Sequence, residues 1–198
     1  AWGFDAPSLM GYLAARTQRV QIASGILPLY SRTPSLLAMT AAGVDALSGG
    51  RAMLGLGASG PQVIEGWHGL PYDAPVTRLR EIIEICRQIW RRERLVHQGR
   101  KYQMPLQEGQ GTGLGKPLKM ITHPFRDEIP IAVASLGQKS VETTAELADA
   151  WLPVFWLAGK SEERWGEALR RGASRRDAQR KPLDIHAGGL VAIGEGLE

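Results

Sequence analysis

Hydroxyl, amide and amine side chains follow two apolar runs of the sequence, at places where a strand would end. Ser59, Gly60, Pro61 and Gln62 come directly after the run Arg51-Ala-Met-Leu-Gly-Leu-Gly-Ala58. A hydroxyl, a side-chain amide and the exposed backbone N–H groups of a glycine suit a ring oxygen or a phosphate. A plain turn uses similar residues, so the segment predicts either a binding loop or a turn.

The second such place joins the run Ile129-Pro-Ile-Ala-Val-Ala-Ser135 to a helical pattern. The connecting residues are Ser135, Leu136, Gly137, Gln138 and Lys139. Unpaired backbone N–H groups at a helix start attract anions, and the ammonium group of Lys139 adds to that attraction. This segment is the best candidate for a phosphate site. The alternative is an ordinary helix start with an exposed lysine.

Other side chains near these segments could take part in a site. Glu65, Trp67 and His68 lie just beyond the first segment. A ring and an imidazole beside a carboxylate could line a substrate pocket and handle a proton, although such side chains in loops more often serve packing. Gly25 and Ile26 end an earlier apolar run, where a glycine at a strand exit needs no special role. The residues alone identify no catalytic acid or base.

The remaining ionisable residues favour neither a metal centre nor a nucleic-acid surface. His97, His123 and His186 fall on separate elements, without the carboxylate and histidine spacing of metal sites. The net charge of +4 is mild. Basic residues of the segment 160–181 alternate with acidic ones, which is typical of a solvated helix face.

The cysteine content and the lengths of the apolar runs bear on the cellular location of the protein. Cys86 is the single cysteine and lies in a helical pattern, so we expect a buried side chain and no disulfide. No run approaches the roughly 20 apolar residues of a membrane helix. A cytoplasmic protein is the resulting expectation.

Apolar runs with strand character alternate with amphipathic helical patterns along the chain. The helical patterns cover 7–17, 33–47, 76–92, 138–148 and a stretch from about 161, and the strands cover 19–28, 51–59, 129–135, 150–156 and 183–193. Short connections between alternating elements imply right-handed parallel crossovers, so the predicted class is α/β. The five strands suit an open sheet, or a barrel of eight strands from which some are absent.

An excursion at about 95–128 interrupts this alternation. Residues 95–102 alternate around a glycine like a small hairpin, and the segment 109–115 carries four glycines.

The literal match Gly55-x-Gly57-x-x-Gly60 does not indicate a dinucleotide-binding site. Its first glycine lies inside a strand, and Pro61 follows at once.

Three stretches, in their order and spacing, together resemble the luciferase-like monooxygenase family. They are Arg-Val-Gln-Ile-Ala-Ser-Gly-Ile-Leu-Pro at 19–28, Asp-Ala-Leu-Ser-Gly-Gly-Arg-Ala-Met-Leu-Gly-Leu-Gly at 45–57, and Ile-Pro-Ile-Ala-Val-Ala-Ser-Leu-Gly at 129–137. The run from Ala58 to Tyr72, with Gly-Trp-His-Gly at 66–69, resembles the branch that uses the deazaflavin coenzyme F-420 instead of FMN. That run is the most specific of these motifs.

The resemblance implies a TIM-type (β/α)8 barrel. The chain would supply an internal portion, about strands 3 to 7, with an insertion at about 95–128, and residues 1–198 would form a single domain incomplete at both ends. The coenzyme would lie at the carboxyl ends of the strands, where barrel sites are built. Gly25 and Ile26 would form a cis non-proline bulge beneath it, and the segments 59–62 and 135–139 would bind it.

The same resemblance implies an oxidoreductase that moves a hydride between coenzyme F-420 and a small organic substrate. One alternative is an FMN-dependent monooxygenase that uses oxygen, and another is a truncated, non-catalytic remnant. Relatives often take catalytic residues from their first two strands, so those residues stay unknown here, and relatives commonly form homodimers. Ser59, Gly60 and Pro61 stand where sugar-phosphate-oxidising relatives carry a glutamate, which disfavours a sugar-phosphate substrate.

Overall fold

The computed structural model describes residues 3–157 and 159–188 of the chain. Helices and strands alternate through most of this range. In chain order they are α1 (Ala6–Arg16), β1 (Ile22–Ala23), β2 (Leu27–Pro28), α2 (Pro34–Ser48), β3 (Ala52–Gly57), α3 (Pro61–Gly66), α4 (Pro75–Trp90), β4 (His97–Gln98), β5 (Gln103–Met104), β6 (Ile131–Ala134), α5 (Gln138–Leu147), β7 (Ala150–Trp151), α6 (Lys160–Arg175) and β8 (Asp184–Ile185).

The main sheet is parallel throughout, with the order β1-β3-β6-β7-β8 and with β2 also paired to β3. Strands β1 and β2 are the two halves of the first predicted strand, so all five predicted strands join one sheet. The predicted α/β class is therefore confirmed. Within the described residues no pairing joins β1 to β8, so the closed circle of a barrel is not formed by these strands alone.

Helix α2 shows how local sequence sets an element. The Thr33 hydroxyl oxygen accepts the Leu36 N–H at 3.2 Å, and Pro34 occupies the first turn. Gly49 ends the helix with a φ of 65°, a left-handed conformation that favours glycine.

Cys86 of α4 packs against helix α2 and is fully buried, as predicted. Burial raises the pKa of its thiol to about 12.

The segment after β3 differs from the prediction. The sequence predicts no helix between the strand at 51–59 and the helical pattern at 76–92, but Pro61–Gly66 forms helix α3. Proline at the start presets the first helical φ, and the Ile64 side chain is fully buried. Six residues are too few to show a helical period in the sequence, which is why the pattern gave no signal.

Two predicted strands are shorter than expected. The strand predicted over 150–156 ends at Trp151, because Pro153 has no N–H to continue the ladder. Phe155, which falls in the predicted range beyond the end of this strand, is 69% exposed. The last strand covers Asp184–Ile185, and positions 189–193 of its predicted range lie outside the described residues.

The predicted insertion is present between α4 and β6 and begins with an antiparallel hairpin of β4 and β5. Its second strand is Gln103–Met104, two positions beyond the predicted end of the hairpin at Tyr102. The buried carboxylate of Glu81 on α4 holds the turn of this hairpin. The insertion is therefore anchored on the helix that precedes it.

Ion pairs fix the edge of the sheet where the strands begin. Arg126 bonds the buried carboxylate of Asp45 at 2.5 Å and the Ala52 carbonyl at 2.8 Å. Asp149 accepts the Ile131 N–H and a bond from Arg180, both at 2.9 Å. In barrel-like folds this edge serves stability, whereas chemistry is carried at the opposite edge.

The basic residues of α6 face the acidic residues of α5. Glu142 pairs with Arg171 and Arg175, and Glu146 with Arg80 and Arg175. This is the arrangement expected of a solvated helix face.

Among the helices that the structure describes, none combines the length and the apolar character needed to cross a membrane.

Candidate functional site

The first strand contains a bulge at its centre. Before the break Ala23 is opposite Met53, and after it Leu27 is opposite Leu56. Residues 24–26 therefore face residues 54–55, which leaves one extra residue on the first strand. The peptide bond between Gly25 and Ile26 is cis, as the resemblance implies.

Ser24 holds this bulge against β3. Its hydroxyl donates to the Gly55 carbonyl at 2.8 Å and accepts the Gly55 N–H at 3.1 Å. A Cβ on Gly55 would overlap the Ser24 carbonyl oxygen, and one on Gly57 would lie 2.9 Å from Cγ1 of Ile26. The glycines of the literal Gly-x-Gly match thus give room to the bulge, which is a role that the sequence did not indicate.

A cavity of about 840 Å³ opens at the carboxyl ends of β2, β3, β6 and β7. Its lining includes the predicted residues Ile26, Ser59, Gly60, Ser135, Leu136, Gly137, Gln138 and Lys139. Apolar side chains complete the wall, namely Leu29, Val76, Leu79, Val133 and Val154. The structure therefore brings half of the first predicted segment, all of the second and one residue of the bulge to a single cavity.

The loop after β3 forms one wall of this cavity. Ser59 has a φ of 58°, which is uncommon for a residue other than glycine. A Cβ on Gly60 would lie 2.8 Å from the side-chain oxygen of Gln62, so that side chain folds over the glycine. Pro61 and Gln62 are exposed first residues of α3 and do not line the cavity. Of the four predicted residues, Ser59 and Gly60 line the cavity.

The loop after β6 is held from behind by two indole rings. Trp151 donates its Nε1–H to the Ser135 carbonyl at 3.0 Å, and Trp165 donates to the Leu136 carbonyl at 2.8 Å. Both carbonyl oxygens therefore accept hydrogen bonds from protein side chains. Gly137 then begins α5 without a side-chain cap, which leaves the amides of the first turn as donors beside Lys139.

Two polar side chains of this loop are engaged within the protein. Thr144 donates its hydroxyl to the Ser140 carbonyl at 2.7 Å, so the bond of 2.9 Å between Ser135 and Thr144 is donated by Ser135. The side-chain amide of Gln138 donates to the Arg164 carbonyl at 2.5 Å. These residues offer the cavity their backbone, while Lys139 offers an exposed ammonium group. The chemistry of the loop suits an anion.

A stacked pair of tyrosines closes the opposite wall. Tyr72 lines the cavity and stacks on Tyr30, with ring centroids 5.2 Å apart. The Tyr30 hydroxyl donates to the Asp73 carbonyl at 2.9 Å, and the Arg78 guanidinium lies 5.0 Å from the Tyr30 ring centroid. Burial, with Tyr72 nearby, raises the pKa of Tyr30 to about 12, and burial also raises the pKa of Tyr72. Both rings are therefore neutral at ordinary pH.

The remaining predicted pocket residues lie elsewhere. Gly25, Trp67 and His68 line a second cavity of about 530 Å³, which shares Ile26 with the first. Glu65 lines neither cavity and accepts the Tyr72 N–H at 3.3 Å. The predicted group of Glu65, Trp67 and His68 is therefore split between a structural bond and the second cavity.

The described residues hold no group of three or more His, Cys, Asp or Glu side chains that could bind a metal ion. His97 lies 3.5 Å from the Glu81 carboxylate, and His123 contacts Arg92. His123 is thus engaged with a protein side chain, and His97 lies beside one.

Comparison with known proteins identifies the family. Residues 1–198 match the family described as luciferase-like monooxygenase, and the chain therefore belongs to that family. It is 45% identical to a Mycobacterium tuberculosis protein with the provisional name coenzyme F-420-dependent oxidoreductase, over 98% of this chain and 56% of that one. It is 31% identical to the 5,10-methylenetetrahydromethanopterin reductase of Archaeoglobus fulgidus, over 73% of this chain and 40% of that one.

A solved structure shows the same fold. The coenzyme F-420-dependent tetrahydromethanopterin reductase from Methanopyrus kandleri matches with a TM-score of 0.78 and 22% identity, over 93% of this chain and 54% of that one. The present chain thus spans about half the length of these relatives.

Proposed function

We propose that the chain is the coenzyme-binding part of an oxidoreductase that transfers a hydride between coenzyme F-420 and a small organic substrate. The observation that carries the proposal is the cavity between Ile26 at one end and the start of α5 at the other. The name of the Mycobacterium tuberculosis relative, at 45% identity, supports the deazaflavin as the cofactor. The substrate itself is left open.

The residues present fit a cofactor with a flat ring and a phosphate. A cavity of about 840 Å³ lies within the range of roughly 300–1,000 Å³ that ligand sites occupy. Ile26, Leu29 and Val133 supply an apolar surface for a ring. The first-turn amides of α5 and the ammonium of Lys139 supply donors and positive charge for a phosphate.

The bound deazaflavin would supply the hydride chemistry, and the protein would supply position and electrostatics. Ile26 would support the ring from below, and the apolar wall with Tyr72 would exclude water from it. Ser59 and Gly60 would offer a hydroxyl and a backbone N–H to polar atoms of the ring. The proton that accompanies the hydride would be handled by residues that remain unassigned.

The experiment is a titration of the full-length protein with coenzyme F-420 and separately with FMN, followed by tryptophan fluorescence. The proposal expects tight binding of F-420 and much weaker binding of FMN. The reverse order would support the FMN-dependent monooxygenase instead, and binding of neither would support the remnant.

A variant pair tests the phosphate end of the cavity. Lys139→Gln should weaken F-420 binding by about tenfold and reduce its dependence on salt, because one attractive charge is lost. Lys181→Gln is the matched control, since this exposed lysine precedes β8 at the opposite edge of the sheet. Equal affinities of the two variants would contradict the phosphate assignment.

The homodimer implied by the family resemblance is a separate prediction, and sedimentation of the full-length protein tests it.

A further inference from the structure

We propose that Ser24 is a positioning residue, whose hydroxyl fixes the bulge that carries Ile26 into the cofactor cavity. The inference rests on the proposed function, because the surface that it positions is the one assigned to the cofactor ring. Ser24 lies between β1 and β2 and has an exposed fraction of 2%. It therefore acts from within the core, without reaching the cavity itself.

The backbone of β3 shows why a side chain is needed at this point. The Leu54 N–H bonds the Pro130 carbonyl before β6, so neighbouring residues of β3 point alternately to β6 and to the first strand. Gly55 consequently points its N–H and C=O to the first strand. There the extra residue displaces the backbone groups that would bond Gly55 in a regular ladder. The Ser24 hydroxyl is both donor and acceptor, and it satisfies both groups of Gly55.

The same bonds place Ile26. Because Gly55 and Gly57 carry no side chain, the first strand can approach β3 closely, until Ile26 lies against Gly57. Beyond the bulge regular pairing resumes, with Leu27 opposite Leu56. Ile26 is therefore held between the Ser24 bonds on one side and the resumed ladder on the other. A loss of the Ser24 bonds releases one of these two supports.

A second buried serine provides a matched control. Ser48, at the end of α2, donates its hydroxyl to the Asp45 carbonyl at 3.2 Å and accepts the Arg51 N–H at 3.1 Å. It is buried like Ser24, with the same pair of bonds, and it lies near the amino end of β3, away from the cavity. Ser24→Ala and Ser48→Ala thus remove equivalent interactions, one at the bulge and one near the amino end of β3.

The experiment compares these variants in the full-length protein. Both should lower the thermal midpoint, but only Ser24→Ala should weaken F-420 binding, by about tenfold, and alter the visible absorption spectrum of the bound coenzyme. Ser24→Thr, which keeps the hydroxyl, should restore the spectrum. Unchanged affinity and spectrum in Ser24→Ala, or an equal loss in Ser48→Ala, would overturn the inference. If Ser24→Ala does not fold, Ser24→Cys gives the same comparison with a weakened donor.

Hydrogen exchange separates this inference from the proposed function. A wild-type protein that fails to bind F-420 would refute the proposed cofactor. The support of the bulge is measured independently, because the Gly55 amide should exchange faster in Ser24→Ala than in Ser48→Ala without any cofactor. Equal exchange of that amide in the two variants would show that Ser24 does not hold the bulge.

Discussion

The Glu81 carboxylate accepts the backbone N–H of Tyr102 at 2.8 Å, and this bond ties helix α4 to the hairpin of the insertion. The same carboxylate accepts the N–H groups of Arg100 at 2.9 Å and Lys101 at 3.0 Å. Burial takes water away from a carboxylate, and the amide N–H groups that donate to this one replace that water. The turn of the hairpin is therefore organised around one side chain of the preceding helix.

Replacing Glu81 should destabilise the protein strongly. Glu81→Ala leaves three buried or half-buried amides without their acceptor, and we expect the free energy of unfolding to fall by about 3 kcal/mol. Urea unfolding measures the change. Glu84→Ala on the same helix is the control, because that side chain is exposed and should cost less than about 0.5 kcal/mol. Similar losses for both variants would show that the amide bonds are unimportant.

Gly99 should tolerate no side chain, since its Cβ would overlap the Glu81 carboxylate and the His97 ring. We expect Gly99→Ala to lower the free energy of unfolding by about 1–3 kcal/mol. In Gly43→Ala, at an open position inside α2, the better helix propensity of alanine should raise stability by about 0.5–1 kcal/mol. Denaturant midpoints compare the two, and a stabilised Gly99→Ala would refute the predicted overlap.

Acid should weaken the cluster around Asp73. Its hydrogen bonds with Lys101 and Arg78 lower the pKa of the Asp73 carboxyl from 3.8 to about 2. A pKa that is lower in the folded state contributes stability that is complete above about pH 4 and is lost as the pH falls through about 2. Asp73→Asn should therefore flatten the dependence of stability on pH in this window. Asp127→Asn, at an exposed site outside the cluster, should leave the dependence unchanged, and unfolding measured across the window tests both.

Trp165 should matter for binding although it does not line the cavity. Trp165→Phe removes the indole N–H from the Leu136 carbonyl, which should loosen the loop before α5 and weaken F-420 binding about fivefold. Trp90→Phe removes an equivalent bond to the Ala38 carbonyl at 3.0 Å, distant from the cavity. We expect comparable losses of stability but an unchanged affinity in Trp90→Phe. Titration and unfolding of both variants separate the two effects.

The parallel α/β organisation was predictable because its signals are local. Apolar runs, a threonine cap at Thr33 and the terminating glycines after α2 each act within a few residues. The segments 59–60 and 135–139 were also found, since polar residues after strands of a parallel sheet meet at one edge. Their role in binding the cofactor stays a prediction.

Other parts of the site depend on the pairing of distant residues. Ser24 and Gly55 are 31 positions apart, and the register change that joins them leaves no mark on either segment alone. Trp67 and His68 were grouped with Glu65 because they are neighbours in sequence, but helix α3 and the turn after it separate them in space. The place of Tyr72 in the wall depends on its stack on the distant Tyr30 as well as on its bond to Glu65.

The extra residue of the first strand also sets the phase of its side chains. Leu27 and Leu29 are buried beyond the bulge, as Ile22 is before it. In an unbroken strand the odd spacing from Ile22 to Leu27 would place these two side chains on opposite faces of the sheet. The bulge absorbs the extra residue, so Ile22 and Leu27 follow their partners Ala52 and Leu56 onto one face, and the length of the bulge is constrained by the pairing on both sides of it.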